Sequence, residues 1–282
     1  MPLSSRPAVV ERARALLGTV VSVRAVAALP VTAQAAIEAA FAEIADIHRL
    51  MSFQDPDSDL SRLHRQPAGQ PVRVDSRTAE VLAFAIHLAE RSDGVFDPTV
   101  GAAVVAADAL PRPRGVQAMP DADWREVRIE GRQVTLRRPV WLDLGGVAKG
   151  YAVDRALARM RAVGAAQGLV NAGGDLAVFG GPPEPVRLRA GDPAQAAVVM
   201  LEDGAMASSG GDPGSHTIHL DGRSRRVSPQ DRFACVLART CMAADALTKV
   251  ALAGDWDLVL ALGASGLSHD PADGWRGYGD LA

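Results

Sequence analysis

A glycine-rich stretch at residues 143–154, reading DLGGVAKGYAVD, restricts the possible folds of this chain more than any other segment. We expect a short strand within 141–146 and a helix with an apolar inward face over 147–160. Glycines at such a junction let backbone N–H groups approach a ligand closely, and a helix start offers unpaired amides to phosphate groups. Lys149, in the first turn, would add a positive charge. A tight corner with a solvated lysine explains the same residues equally well.

The rest of the chain mixes strand and helix periodicities. Alternating β-branched residues at 19–27 predict a strand, and helical spacing of apolar residues over 32–51 predicts an amphipathic helix. The other predicted elements are a polar loop at 53–63, a helix at 77–91, a hairpin at 125–138, two short strands at 168–181, a strand at 186–191, a hairpin at 215–229, a strand at 232–239 and helices at 242–253 and 256–263. Because hairpins are interspersed with helices, we predict the α+β class, with mixed sheets and packed helices.

The length and composition fit one globular domain. With 282 residues, 48% of them apolar and 22% charged, the chain can bury a sizeable core. We therefore expect a single domain over 1–282. Its one interruption would be a surface excursion at about 108–122, where proline and glycine are frequent.

Several classes of protein are disfavoured by composition. A net charge of -3 and the lack of a strongly basic stretch argue against a nucleic-acid surface. No apolar run reaches the roughly 18 residues of a membrane-spanning helix, and charged residues interrupt the first 18 residues where a signal peptide would need an apolar core. The two cysteines, Cys235 and Cys241, are too few for a disulfide framework or a closed zinc site. We expect a cytoplasmic protein that does not insert into membranes.

Lysine is unusually rare in this sequence. Of 30 basic residues, only two are lysines, Lys149 and Lys249. GC-rich coding explains an excess of arginine without any functional cause. The two remaining lysines would then mark positions that need a compact ammonium group, which a planar guanidinium cannot imitate.

Seven segments, in order along the chain, resemble motifs of the ApbE family of FAD:protein FMN transferases. The longest is 143–154, which is similar to the family's DLGGIAKGYAVD. The others are Leu17-Gly18-Thr19 (MGT in the family), Met51-Ser52-Phe53 with 57–61 (MSTY…SELS), 92–99 (SxGAFDPT), 171–175 (NAGGD), 207–210 (ATSG) and 244–247 (ADAL). Because the motifs stay in register over almost the whole chain, it is identified as a divergent member of this family.

The resemblance implies a fold and an activity. The family has two closely associated lobes around a flavin-nucleotide cleft. Its members bind FAD with Mg²⁺, cleave the pyrophosphate and attach FMN through a phosphoester to a threonine or serine of a target flavoprotein. Such phosphoryl transfer depends mostly on positioning and on neutralising the charge of phosphate oxygens. The implied partners are a flavin nucleotide and an acceptor flavoprotein.

The resemblance also implies which residues bind the cofactor. Phe53 and the segment Val95-Phe96-Asp97 would contact the isoalloxazine or the adenine, since an aromatic ring can stack on a planar ligand. Core packing is the alternative for Phe53, and capping of a turn is the alternative for Asp97. The remaining implied cofactor-binding residues are Leu17, Ala148, Lys149, Asp175 and Ser209.

The implied metal site departs from the family pattern. The family's ligands correspond to the carbonyl of Ala148, to Asp245 and to a threonine four residues later, but residue 249 is lysine and Thr248 lies only three residues on. Oxygen ligands of this kind suit Mg²⁺. Three accounts are open: Thr248 supplies the hydroxyl ligand, the ammonium of Lys249 pairs with Asp245 in the cation's place, or the two form a surface i,i+4 pair worth about 0.3–0.5 kcal/mol. We take Asp245 and Lys249 as the candidate catalytic residues.

A second departure concerns a histidine. The family has an HIIDP-like segment whose histidine is associated with catalysis, whereas the comparable hairpin here reads DGRSRRVSP at 221–229. His216 and His219 lie upstream, but at a spacing of three in a strand they would face opposite sides, and we expect one of them at the surface. Both departures keep two alternatives open: a flavin-nucleotide-binding homologue without transferase activity, and an FAD pyrophosphatase.

Overall fold

The computed structural model of the chain describes residues 6–115, 117–190, 196–210, 218–229 and 231–281. Within these ranges the strands are β1 (Ala8–Leu16), β2 (Thr19–Ala27), β3 (Pro71–Arg73), β4 (Val127–Glu130), β5 (Gln133–Leu136), β6 (Gln167–Ala172), β7 (Asp175–Phe179), β8 (Glu184–Arg187), β9 (Val198–Leu201), β10 (Ala205–Gly210), β11 (Phe233–Ala238), β12 (Ser265–Asp270) and β13 (Gly274–Tyr278). The helices are α1 (Pro30–Met51), α2 (Asp59–Arg65), α3 (Ser76–Arg91), α4 (Gly101–Ala106), α5 (Ala148–Val163), α6 (Cys241–Leu252) and α7 (Trp256–Ala261).

Eight antiparallel strands form the main sheet, in the order β1-β2-β6-β7-β10-β11-β12-β13. Strands β3, β5 and β4 form a small second sheet, and β8 pairs with β9. Helices α1, α5 and α6 pack side by side, and each also contacts strands of the main sheet. The predicted α+β class is therefore confirmed, and the helices predicted at 32–51, 77–91 and 242–253 are present with small shifts at their ends.

The alternation of β2 explains which face of the sheet carries the helices. Val21, Val23 and Ala25 are fully buried in the main core together with α1, whereas the residues between them point to the other side. Such a period of two is what a strand with one buried face requires. A second, smaller core lies around Met206 and Phe233 and is closed by the β8–β9 pair.

Two of the predicted elements are wrong. The loop predicted at 53–63 contains α2, which begins where the side chain of Ser58 accepts a hydrogen bond from the amide of Ser61 at 3.0 Å. A capping serine of this kind can start a helix in an otherwise polar segment. No strand forms at 141–146: the amide of Leu142 donates to Nε2 of His64, and the amide of Asp143 donates to the carbonyl of Pro98, which is not in a strand.

Other predictions concern regions that are only partly described. The excursion at 108–122 is described except for residue 116 and is without regular structure beyond a few turns. Residues 215–217 of the hairpin predicted at 215–229, His216 among them, lie outside the described residues. The second half is present, as a tight turn after Asp221 and a single bridge between Leu220 and Val227. No helix in the described ranges has the length and apolar character that crossing a bilayer demands.

Candidate functional site

Helix α5 brings Lys149 to one end of the main sheet. Its Nζ lies 2.6 Å from Oδ2 of Asp175, at the start of β7, and 3.5 Å from Oδ2 of Asp245, on α6. Burial alone would lower the pKa of Lys149, but the two carboxylates outweigh it and raise this pKa. The ammonium is therefore charged, and it bridges two acids that belong to different elements.

A close approach of α5 to α6 makes this bridge possible. A Cβ atom on Gly150 would lie 2.2 Å from the carbonyl oxygen of Cys241, so only glycine fits there. Without a side chain, the amide of Gly150 donates to Oδ2 of Asp245 at 3.1 Å. The glycine of the motif is thus required by helix packing, and its amide helps to hold the buried acid.

Asp154, one turn further along α5, ties the two helices together. Its carboxylate accepts hydrogen bonds from the amides of Cys241 at 2.8 Å and Met242 at 2.9 Å, which are the first two residues of α6. Both amides lack partners within their own helix. Burial raises the pKa of Asp154 to about 6, although both hydrogen bonds lower it. One side chain therefore sets the position of α6 relative to Lys149.

Lys249 occupies the centre of the site. Its Nζ lies 2.6 Å from Oδ1 of Asp245, 3.0 Å from the carbonyl oxygen of the same residue and 3.4 Å from Oγ of Ser209. The side chain of Asp245 is 0% exposed and that of Lys249 only 12%. The account in which these two residues form a surface ion pair is therefore wrong.

Thr248 lies on the same helix and is fully buried. Its hydroxyl donates to the carbonyl oxygen of Asp245 at 2.7 Å and lies 2.8 Å from Oγ of Ser209. This back-bonding to the preceding turn is common for threonine in a helix. Ala148, the third residue of the implied metal set, is the first residue of α5 and lies one residue from Lys149.

The two buried acids of the cluster respond differently to their surroundings. Burial and the nearby charge of Asp245 raise the pKa of Asp175, and Lys149 only partly offsets them. Burial acts on Asp245 too, but Lys149, Lys249 and the Gly150 amide together lower its pKa. The surroundings of Asp175 therefore favour its protonated form, whereas those of Asp245 favour the carboxylate.

Two glycine-containing turns close this end of the sheet. Gly173 and Gly174, between β6 and β7, have φ values of 70° and 106°, which non-glycine residues rarely adopt. A Cβ on Gly173 would lie 2.5 Å from the hydroxyl of Thr19, so this turn lies against the β1–β2 turn that contains Leu17. Leu17 itself has a φ of 55°. The structure thus places Leu17 next to the turn that leads into Asp175.

The segment at 92–99 and residues 218–220, which precede the turn after Asp221, form a second wall of the site. Asp97 is buried, and its Oδ1 accepts hydrogen bonds from the amide and the hydroxyl of Thr99. Its Oδ2 accepts from the guanidinium of Arg225 at 2.9 Å. Burial raises the pKa of Asp97, and the charge of Arg225 opposes that rise. Arg225 lies in the turn that packs against Asp97. Its φ of 56° is in the left-handed region, which residues other than glycine rarely adopt.

A cavity of about 60 Å³ remains between these walls. Its lining includes Val95, Phe96, Asp97, Asp143, Gly146, His219 and Lys249. Three of the predicted contact residues therefore share one cavity with Lys249.

Phe53 instead lies in the protein interior, 9% exposed, with its ring 5.2 Å from that of His64. Burial lowers the pKa of His64 to about 4.

Asp143 and His219 line the cavity but were not among the candidate site residues. Burial and the charge of Lys249 lower the pKa of His219 to about 3, so its imidazole is neutral. Burial raises the pKa of Asp143, although the Gly145 amide and both lysines lower it. His219 is partly buried and His216 lies outside the described residues, so the expectation that one of the two is at the surface stays a prediction. The sequence offered a reason to expect Asp143 at the site, since it begins the glycine-rich motif. The position of His219 depends instead on how the hairpin folds back.

The fold and the site together define a class of protein. This is an α+β protein with a buried lysine–aspartate cluster at one end of an antiparallel sheet, next to a helix start suited to an anionic ligand. The sequence profile of the ApbE family matches residues 17–266, and the chain belongs to that family.

Individual relatives agree with this membership. The chain is 30% identical over 208 residues to the FAD:protein FMN transferase of Treponema pallidum (strain Nichols), covering 68% of this chain and 55% of that protein. It is 31% identical over 208 residues to the FAD:protein FMN transferase of Chlamydia pneumoniae, covering 70% of this chain and 63% of that protein. The matches thus span little more than half of the Treponema relative.

Solved structures share the whole fold. The ApbE protein of Thermotoga maritima superposes with a TM-score of 0.78 at 27% identity, covering 96% of this chain and 97% of that one. The flavin transferase ApbE of Vibrio cholerae gives a TM-score of 0.78 at 22% identity, again with 96% and 97% coverage. At that lower identity, the likeness is one of fold alone.

Proposed function

We propose that this protein is an FAD:protein FMN transferase. Its family membership and the name shared by its relatives in Treponema pallidum and Chlamydia pneumoniae support this activity. The observation that carries the proposal is the pair of ammonium groups, Lys149 in the first turn of α5 and Lys249 on α6, which both contact Asp245. Phosphoryl transfer needs fixed positive charge at the phosphate oxygens, and two lysines on rigid helices can supply it.

The proposed ligand is FAD, with its pyrophosphate at the lysine cluster. The ring system would lie along the wall of Val95, Phe96 and Asp97, which shares the cavity with Lys249. Asp175 would orient Lys149 through the contact that it already makes, and Ser209 lies beside Lys249. Leu17 and Phe53 remain proposed contacts that depend on the family resemblance, since neither is among the residues that line this cavity.

The proposed reaction uses residues of this chain for charge and proton transfer. The hydroxyl oxygen of an acceptor threonine or serine attacks the phosphorus of the FMN half of FAD. The bond from that phosphorus to the bridging oxygen breaks, and AMP leaves with the bridging oxygen and its electron pair. The hydroxyl proton passes to the carboxylate of Asp143, which lines the cavity. Its raised pKa makes it a better base than His219, whose pKa is lowered to about 3.

The cavity must enlarge before FAD can bind in it. At about 60 Å³ it is smaller than FAD requires, since pockets for ligands of this kind measure about 300–1,000 Å³. Residues 218–220 line one side of the cavity, and the turn that follows them is held by Arg225 on Asp97 and by the amide of Gly222 on the carbonyl of Val95 at 2.9 Å. We propose that this turn moves outward when FAD binds.

A single assay tests the function. The protein is incubated with FAD and purified candidate acceptor domains, and covalent FMN is detected by intact-mass spectrometry while free FMN and AMP are separated by chromatography. FMN on the acceptor supports transfer. FMN and AMP released without modification of any acceptor would identify a pyrophosphatase, and bound but unreacted FAD would identify a binding protein.

Two variants separate the proposed proton acceptor from its neighbour. We expect Asp143→Asn to slow transfer by at least about a hundredfold, the usual contribution of a general base. His219→Gln removes a neutral side chain from the same cavity and should change the rate much less. Equal losses in both variants, with FAD affinity unchanged, would assign the role of Asp143 to cavity shape instead.

A further inference from the structure

The divalent ion implied by the family does not fit the residues present. Oδ1 of Asp245 is taken by Lys249 at 2.6 Å, and Oδ2 by the amide of Gly150 at 3.1 Å and by Lys149 at 3.5 Å. The hydroxyl of Thr248 is bonded to a backbone carbonyl and to Ser209. Mg²⁺ needs near-octahedral oxygen ligands at about 2.0–2.1 Å, and here both side-chain donors of the implied set already have partners.

The ammonium of Lys249 also reduces the negative charge that would attract a divalent ion. Lys149 and Lys249 carry two positive charges beside the carboxylates of Asp143, Asp175 and Asp245, so one negative charge remains. With a threonine at 249, as in the family, the same set would carry two and would attract a cation more strongly. Among the described residues, no three His, Cys, Asp or Glu side chains are grouped to hold a metal ion.

The ammonium of Lys249 has the surroundings of a bound cation. Three oxygen atoms contact it: the carboxylate and the carbonyl of Asp245, and the hydroxyl of Ser209. These match its three N–H donors. Its aliphatic chain passes over Gly146, where an added Cβ would lie 3.0 Å from Cε of the lysine. The glycine therefore leaves room for the lysine, and the packing fixes the ammonium in place.

We propose that the ammonium of Lys249 replaces the divalent ion of this site, so that the protein binds the pyrophosphate of FAD without Mg²⁺. The contact to Ser209, at 3.4 Å, is the longest of the three, so one N–H can turn from Ser209 to a phosphate oxygen. The claim about FAD rests on the proposed function. The claim about the ion concerns the protein alone.

Direct measurement of metal binding tests whether Lys249 takes the place of the divalent ion. Mn²⁺ is titrated into the metal-stripped protein without flavin and followed by electron paramagnetic resonance. We expect Lys249→Thr to bind one Mn²⁺ at least about tenfold more tightly than the wild type. Lys249→Met, which removes the charge without adding a hydroxyl, should fall between them. Arg12→Thr, on the exposed edge strand β1, loses the same charge and should behave as wild type. One tight Mn²⁺ in the wild type, with the affinity of Lys249→Thr, would overturn the proposal.

FAD affinity gives the second readout, measured by flavin fluorescence in EDTA and in Mg²⁺. The wild-type dissociation constant should agree within about twofold between the two conditions, whereas Lys249→Thr should lose at least about tenfold in EDTA. A wild-type protein that needs Mg²⁺ to bind FAD refutes the replacement. If FAD binds in neither condition, the proposed function fails, while the Mn²⁺ titration still decides the role of Lys249. The wild-type measurements stand even if a variant fails to fold.

Discussion

The pair of Lys149 and Asp175 should be strongly coupled in stability. At 2.6 Å, Coulomb's law with an effective dielectric constant of about 20 gives about 6 kcal/mol. The lysine side chain is 31% exposed, so solvent screening reduces the expected coupling to about 3 kcal/mol. Removing the ammonium leaves buried, uncompensated carboxylates, and Lys149→Met should therefore lose about 3–5 kcal/mol of unfolding free energy.

A double-mutant cycle measures this coupling. Urea unfolding at pH 7.5 is compared for the wild type, Lys149→Met, Asp175→Asn and the double variant, with Arg12→Thr as a control for loss of one surface charge. We expect Asp175→Asn to cost less than Lys149→Met, because Lys149 keeps Asp245 as a partner at 3.5 Å. The double variant should be about 3 kcal/mol more stable than the sum of the single losses predicts.

The pH dependence provides an independent check. The pKa of Asp175 is already raised in the folded protein, and loss of Lys149 should raise it further. Protonation of a group whose folded pKa lies above its unfolded pKa stabilises the fold, so the deficit of Lys149→Met should shrink as the pH falls from 7.5 to about 5. Losses that add within about 0.5 kcal/mol, with a deficit that does not change with pH, would refute the reasoning.

Three further predictions follow from single contacts. Gly150→Ala should lose more than about 3 kcal/mol or fail to fold, because the new Cβ meets a backbone carbonyl at 2.2 Å; an unchanged melting temperature would contradict this. The pKa of His64 is lowered to about 4, so unfolding free energy should fall by up to about 3 kcal/mol as the pH drops from 6.5 to 4, and His64→Gln should lack this component in acid titrations. Arg225→Asn keeps a residue that tolerates positive φ but removes the bond to Asp97, so stopped-flow fluorescence should show faster FAD association. An association rate equal to that of the wild type would mean that this bond does not limit access.

Local signals were enough to predict most of the helices and the strands β2, β4, β5, β6, β7 and β11. The alternation of 19–27 gave β2 with the bounds found in the structure, because one face of this strand is buried and the other is not. Strand β1 has no such alternation: most of its side chains are exposed, and only its pairing with β2 makes it a strand. Edge strands of this kind cannot be identified from periodicity alone.

The site was predictable where the residues lie within one motif or one helix. The i,i+4 spacing of Asp245 and Lys249 was sufficient to expect their contact, but burial decided that it is not a surface pair. The meeting of Lys149 with Asp175 joins residues 26 positions apart, and only the family motifs brought both to attention. His219 reaches the cavity because the chain turns back after Asp221, and nothing in the local sequence specifies that direction.

The clamp formed by Asp154 also bears on how the protein opens. Because one carboxylate holds the first two amides of α6 against α5, the first turn of α6 cannot fray without breaking both hydrogen bonds. In native-state hydrogen exchange, α5 and the first turn of α6 should therefore behave as one cooperative unit. The turn after Asp221, with its single bridge, should exchange earlier and separately. Partial unfolding would then expose the outer wall first, and the two lysines would lose their arrangement together rather than one after the other.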